Sequence, residues 1–170
     1  MTAASIDGVL DRLFLCYPEI PGIAKAARLP EALPKEFEEV PYVYSLVGAT
    51  IGNTPARQAG HTIQRRQFIA RCLVALATSD DKDDGLGSES ISKVIPMISA
   101  FTTYFIAHPR LDTAGTLPNT TKQRELAWVP EDVLFTDSGP RKFQGPGGTE
   151  YAGFDFTMTI ALSLRTGRSS

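Results

Sequence analysis

The sequence predicts an α+β fold, an antiparallel or mixed sheet with two helices packed on one of its faces. Three patterns carry that reading. Ile6, Val9, Leu10, Leu13, Phe14 and Tyr17 form an apolar stripe at helical spacing, and a second helical stripe runs from Ile91 to Phe105. Two long stretches, Thr62–Ala77 and Tyr151–Arg165, alternate apolar and polar residues with period two. Together with a strand before the first stretch and one before the second, they give the order helix-strand-strand-helix-strand-strand. The layer arrangement follows because each element has one apolar face to bury. A length of 170 residues suggests one domain spanning 1–170.

The first helix is expected to start after Ser5, a plausible cap, and to end at Pro18, since the residue before proline avoids the helical region. A proline-rich arm or covering segment follows at about 18–41, with a possible helical turn at Ile23–Arg28. Val40–Val47 is β-branched and aromatic and reads as a strand. Gly48, Gly52, Asn53 and Pro55 read as the turn region after it. On the next strand Phe68, Ala70, Cys72, Val74 and Leu76 share the buried side, and Arg65, Gln67, Ile69 and Arg71 share the other. Thr78–Ser90 is an acidic exposed loop. Because Pro96 is tolerated only in a first turn, the second helix is expected to begin near Ser92 or Lys93 and to close at His108-Pro109. A third strand is expected around Leu126, Trp128, Val133, Leu134 and Phe135. Asp137-Ser138-Gly139-Pro140 and Gly145-Pro146-Gly147-Gly148 are turn signals. In the last strand Phe154, Phe156, Met158, Ile160 and Leu162 face the core.

Composition excludes several classes. Hydrophobic residues make up 42% and charged residues 21%, so the chain is not of the disordered type. The net charge of −2 argues against tight DNA binding by the isolated subunit. No stretch approaches the ~20 apolar residues of a membrane span, and no basic, apolar leader opens the chain. A cytosolic product without a membrane partner is expected. Cys16 and Cys72 both lie within apolar patterns and read as buried free thiols.

The chemistry-bearing residues do not assemble into a catalytic or metal signature. His61 and His108 lack partners at metal spacing, and His108 suits a helix C-terminus. A Cys72–His61 pair is disfavoured because Cys72 sits on the apolar side of its strand. The acidic loop departs from the calcium-loop template, with Lys82 at the third position and Ile91 at the twelfth. No glycine run has the lysine of a phosphate loop. No catalytic residue, metal or cofactor is expected. Two features point instead to contacts. Arg65 and Arg71, on a strand otherwise built for burial, are candidates for a subunit interface; reversing both to glutamate is expected to reduce assembly and leave the fold intact. Asp80, Asp81, Asp83 and Asp84 give the loop a strong negative charge.

Several motifs together resemble the tail terminator (tail completion) family of long-tailed bacteriophages. They are Val40-Pro41-Tyr42-Val43-Tyr44, the arginine-bearing strand Gln64–Leu76, Tyr104-Phe105-Ile106-Ala107-His108-Pro109-Arg110-Leu111, and Asp137-Ser138-Gly139-Pro140 leading to Tyr151-Ala152-Gly153-Phe154-Asp155-Phe156. The chain departs from that pattern at Asp112-Thr113, where a glycine pair would be expected, and in its proline-rich segment. The resemblance implies a non-enzymatic virion protein of the tail neck, made in the host cytoplasm. It implies a homohexameric ring that caps the head-proximal end of the tail tube and stops tube polymerisation. The ring would dock the head connector (stopper) protein and pass genomic DNA through its bore without specific binding. On that reading Asp80, Asp81, Asp83 and Asp84 are candidates to line the bore. The alternatives are another phage structural protein (tail tube, head-tail connector or baseplate subunit) and, in a different class, a small ligand-binding or enzymatic α+β domain.

Overall fold

The structure, a computed structural model, describes residues 6–30, 39–55, 61–81, 85–109, 111 and 134–165. The expected strand residues Leu126, Trp128 and Val133, the loop residues Lys82, Asp83 and Asp84, and Ser5 and Pro34 lie outside these.

The fold is α+β, with a six-stranded mixed sheet and two helices. Helix α1 (Ile6–Cys16) buries Val9, Leu10 and Leu13 of the stripe seen in the sequence, together with Cys16. Phe14 instead lies on its exposed side. Tyr17–Glu19 continues as one tight 3-10 turn with Pro18 in its first turn, a place where a missing N–H costs nothing. The chain then forms strand β1 (Lys25–Ala27), which pairs in parallel with the start of β2 (Tyr42–Pro55). The expected helical turn at Ile23–Arg28 is therefore a strand. The Pro41 carbonyl accepts from both Ala24 and Lys25 N–H and draws this stretch onto the sheet edge.

Strand β2 runs antiparallel to β3 (His61–Leu76). It does not stop at Val47. The glycines read as a turn sit inside the strand, where register shifts between Val47 and Thr50 and between Thr50 and Gly52 absorb the extra residues as bulges. Gly48 lies hard against Gln67; a Cβ there would come within 2.8 Å of the Gln67 Cβ. Helix α2 (Ser88–Ala107) starts earlier than Pro96 suggested and carries that proline in its interior. Pro96 and Ser92, whose carbonyl loses its usual partner, both lie on the exposed side where water can replace the bond. Val94, Met97, Phe101, Tyr104 and Phe105 are buried; Ile91 and Ile95, expected on that face, are exposed. Among the described residues α2 is also the one helix long and apolar enough to cross a membrane, which the sequence reading did not anticipate. In this fold it is the core helix laid on the sheet.

Strands β4 (Leu134–Asp137) and β5 (Arg141–Gln144) both pair antiparallel with β6 (Glu150–Arg165), which in turn pairs with β3. The sheet order is β1-β2-β3-β6-β4, with β5 beside the start of β6. Both helices contribute to the core on one sheet face, against Phe68, Cys72, Val74, Phe154, Phe156, Ile160 and Leu162. A smaller cluster of Ala27, Tyr42, Tyr44, Leu73 and Tyr151 forms on the opposite face. Leu76 packs against that second cluster, not the first, because a register shift between Leu73 and Ala75 turns the end of β3 over.

Candidate functional site

The β3–β6 pairing places Arg71 directly opposite Asp155, on the sheet face away from the helices. The pair is bidentate, with Arg71 Nε donating to Asp155 Oδ1 at 2.8 Å and Nη2 to Oδ2 at 3.0 Å. Asp155 is only 8% exposed. Arg141 on β5 lies 3.8 Å from Asp155 Oδ2 as well. The Phe143 ring lies under both guanidinium groups, 4.5 Å from that of Arg71 and 5.7 Å from that of Arg141. The hydrogen bonds to Asp155 raise the already high Arg71 pKa further, so its charge is permanent. Arg65 lies on the same face, six residues up the strand, as the alternation predicted. Arg71, however, is first a strut inside the subunit. The expected double reversal of Arg65 and Arg71 to glutamate would set a second carboxylate against Asp155 and so disturbs the fold; Arg65→Glu, read beside the melting point of the variant, is the better interface test.

The turn before β5 is tied to the same aspartate. Ser138 N–H donates to the Asp155 carbonyl and Asp155 N–H to Ser138 Oγ, both at 2.9 Å. Gly139, at φ +68°, takes a conformation that side chains avoid, and its N–H donates to Asp137 Oδ1. Gly153, between Tyr151 and Asp155 on this face, has no room for a side chain: a Cβ would sit 2.0 Å from the Cys72 carbonyl oxygen.

In the acidic loop the carboxylates divide. Asp80 is exposed. Asp81 turns inward and accepts from Thr78 N–H at 2.7 Å, from Ser90 Oγ at 2.9 Å and from Gly87 N–H. Gly87 is the N-cap of α2, so Asp81 ties the loop to the helix start, where negative charge is favoured. Partial burial pushes the Asp81 pKa up, but the three hydrogen bonds and nearby Lys142 outweigh it and hold the group below the usual carboxylate range. A depressed folded pKa contributes stability that is present above the unfolded value of roughly 4 and is lost as pH falls through the folded one. Asp81→Ala is expected to cost about 1 kcal/mol at neutral pH and to flatten the acid limb of a pH–stability curve below about pH 4. An unchanged acid limb in urea titrations would remove Asp81 from this role.

The remaining chemistry-bearing residues are dispersed. His108 caps the end of α2: its Nδ1 lies 2.9 Å from the Tyr104 carbonyl and its ring stacks on Tyr104 at 4.3 Å. His61 is at the far end of β3 from Cys72, eleven residues or ~36 Å along an extended strand. Burial pushes the Cys72 thiol pKa up, away from a reactive thiolate. Among the described residues no three His, Cys, Asp or Glu side chains come together as a metal site.

One feature escaped the sequence reading. An open groove of about 830 Å³ runs beside α2, lined by Glu19, Pro21, Pro96, Ala100, Ala107 and His108 among others. Its end is fixed by Tyr104 Oη, which donates to Glu19 Oε2 at 2.6 Å. The signal lay in the small residues Pro96, Ala100, Thr103 and Ala107 at i, i+4, i+7, i+11 on one helix flank. No known protein-family model matches the chain, and no curated protein matches its sequence.

Proposed function

We propose that this chain is a structural subunit of a homohexameric ring at the head-proximal end of a long-tailed phage tail. The ring ends tube polymerisation, meets the head connector protein on its other side and passes the genome without binding it specifically. It acts by assembly and performs no catalysis. What supports the reading is the convergence of the motifs that carry the resemblance. Asp137-Ser138-Gly139 and Tyr151–Phe156 meet through the reciprocal Ser138–Asp155 bonds, and the arginine-bearing strand, 84 residues from Asp155 at Arg71, joins them. The helix-final Tyr104–His108 segment likewise forms one stacked unit. These motifs build a scaffold rather than a reaction centre, as a ring subunit needs.

The experiment is direct. Purified chain is mixed with polymerising tail tube protein and imaged by negative stain. Rings with a central hole at one tube end, and tubes of capped length, are the expected outcome. Tubes that grow unchanged, with the chain left monomeric, would refute the proposal.

The same reading places the acidic loop at the bore, where negative charge keeps DNA from lodging, within the ~8–10 Å reach of electrostatics in physiological salt. Of the two described aspartates of the loop Asp80 is the exposed one, since Asp81 is engaged with the helix start. Asp80→Lys is expected to leave rings intact and slow DNA ejection, most visibly at low salt. Ejection at the wild-type rate in low salt would end the bore assignment.

A further inference from the structure

Strand β2 is held differently along its length. As far as Val47 it pairs with β3 residue for residue. From Val47 to Gly52 it takes five steps while its partners on β3, Phe68 to Arg65, take three, so two extra residues interrupt the ladder. The other side of β3 is uninterrupted: β3 and β6 keep one register from His61↔Arg165 to Leu73↔Gly153. The irregularity therefore belongs to β2 alone. Among the described residues β1 covers the outer edge of β2 only at Tyr42–Tyr44. Beyond the bulges β2 has a strand on one side only. Ile51 there is 55% exposed, and a side chain added at Gly52 would meet nothing within 4 Å. Side chains span the interruption instead. Arg66 Nη1 donates to the Gly48 carbonyl at 3.2 Å, Arg66 Nε to Gln64 Oε1 at 3.3 Å, and Gln64 Nε2 to Asn53 Oδ1 at 3.2 Å. This relay starts at the first bulge, runs along two same-side residues of β3 and ends on β2 past the second bulge.

We propose that the outer half of β2, Thr50–Pro55, is a detachable edge strand, with the bulges as its hinge and the Arg66–Gln64–Asn53 relay as its latch. Opening lifts β2 from β3 and leaves β3 paired with β6. It uncovers the backbone N–H and C=O groups of Thr62–Arg66 on that side, the form in which a sheet accepts an added strand. The device thus governs access to the β3 edge. Its latch is made of neutral or exposed hydrogen bonds, each of small net strength because water replaces it on opening. The closed form is therefore favoured by little. The helix-covered core, centred on Phe68, Phe154 and Phe156, lies on the near side of the bulges and stays packed in both forms. The inference does not depend on the ring reading.

Residue-resolved hydrogen exchange by NMR tests it on the full chain. In a central antiparallel strand the N–H groups of alternate residues point to opposite neighbours. Within Thr62–Arg66, some amides therefore report on pairing with β2 and the others on pairing with β6. In the wild-type chain the β2-facing amides of that stretch and the β3-facing amides of β2 beyond the bulges should exchange as one group. That group should exchange roughly tenfold or more faster than the β3-facing amides of Tyr42–Leu46 and the β6-facing amides of Thr62–Arg66. Asn53→Ala removes the outer bond of the latch from an exposed position. It should speed the group roughly fivefold, as the loss of one ordinary hydrogen bond does, and leave Tyr42–Leu46 and the β6-facing amides at their wild-type rates. Arg66→Met removes the two inner bonds and should speed the same group further; where that variant fails to fold, Asn53→Ala decides alone. Uniform protection along β2 would overturn the proposal. So would fast exchange of the β6-facing amides, which would mean that the whole end of the sheet frays. Variants that leave the group's rate unchanged, or that speed every amide alike, would also overturn it and make Arg66 and Asn53 general supports of the fold.

Discussion

Phe156→Ala is expected to destabilise the chain by roughly 3–5 kcal/mol, a large part of what holds a domain of this size together. The side chain is 1% exposed and lies among three other rings, with centroids 5.7 Å from Phe101, 5.4 Å from Phe105 and 5.9 Å from Phe135. Those rings come from α2 and β4, so Phe156 is where the helix layer, the central strand and the edge strand meet. Truncation opens a cavity that three rigid rings cannot collapse to fill. The control is Phe14→Ala on the exposed side of α1, which should cost well under half as much. Urea midpoints for the two variants check this directly. Equal shifts would mean that the layer packing described here is wrong.

Phe156 also shows what sequence alone can reveal. Its burial was legible because β6 alternates without interruption, and period two is a direct image of a sheet with one buried face. The existence of α1 and α2 was legible for the matching reason at period 3.6, although Phe14, Ile91 and Ile95, assigned to their apolar stripes, are exposed. The errors came where a local rule lost to packing. Pro96 argued for a late start to α2, yet Ser90 and Val94 lie on the buried face, and tertiary contact holds the helix around a proline on its wet side. Gly48 and Gly52 read as a turn, but bulges carry them within β2. Strand β1, three residues of Lys-Ala-Ala, has no propensity signal; pairing with Tyr42–Tyr44 defines it.

The candidate site was less legible because its partners are far apart along the chain. Arg71 and Asp155 are 84 residues apart. The sequence marked Arg71 as unusual for a buried strand, which was right, but could not supply the aspartate opposite, and the arginine was read as pointing to a neighbour. Asp81 was counted with Asp80 as one more loop charge. Ser90, nine residues on, is the only other local hint that it turns in to meet the helix start.

Removing one half of the Arg71–Asp155 pair is expected to have the second large effect. Arg71→Ala leaves Asp155, 8% exposed, with Arg141 at 3.8 Å as its remaining ion-pair partner on this face and leaves the Phe143 ring without its closer cation. Stranding a largely buried charge in this way costs roughly 3 kcal/mol. Replacing both partners is a different matter. Arg71→Met with Asp155→Leu removes the stranded charge and fills the space beside Tyr44 and Phe143 with apolar atoms, so the double variant should recover most of the loss. Thermal midpoints of the two single variants and the double one form the cycle. If the double variant is as unstable as the sum of the singles, the pair is not the coupled strut described here. The folded double variant then separates structure from assembly. If it still forms rings on tail tubes, Arg71 serves only the subunit interior, and Arg65→Glu becomes the informative change: loss of rings from a chain with an unchanged melting point would locate the subunit contact on that end of β3, whereas normal rings would move it off this sheet face altogether.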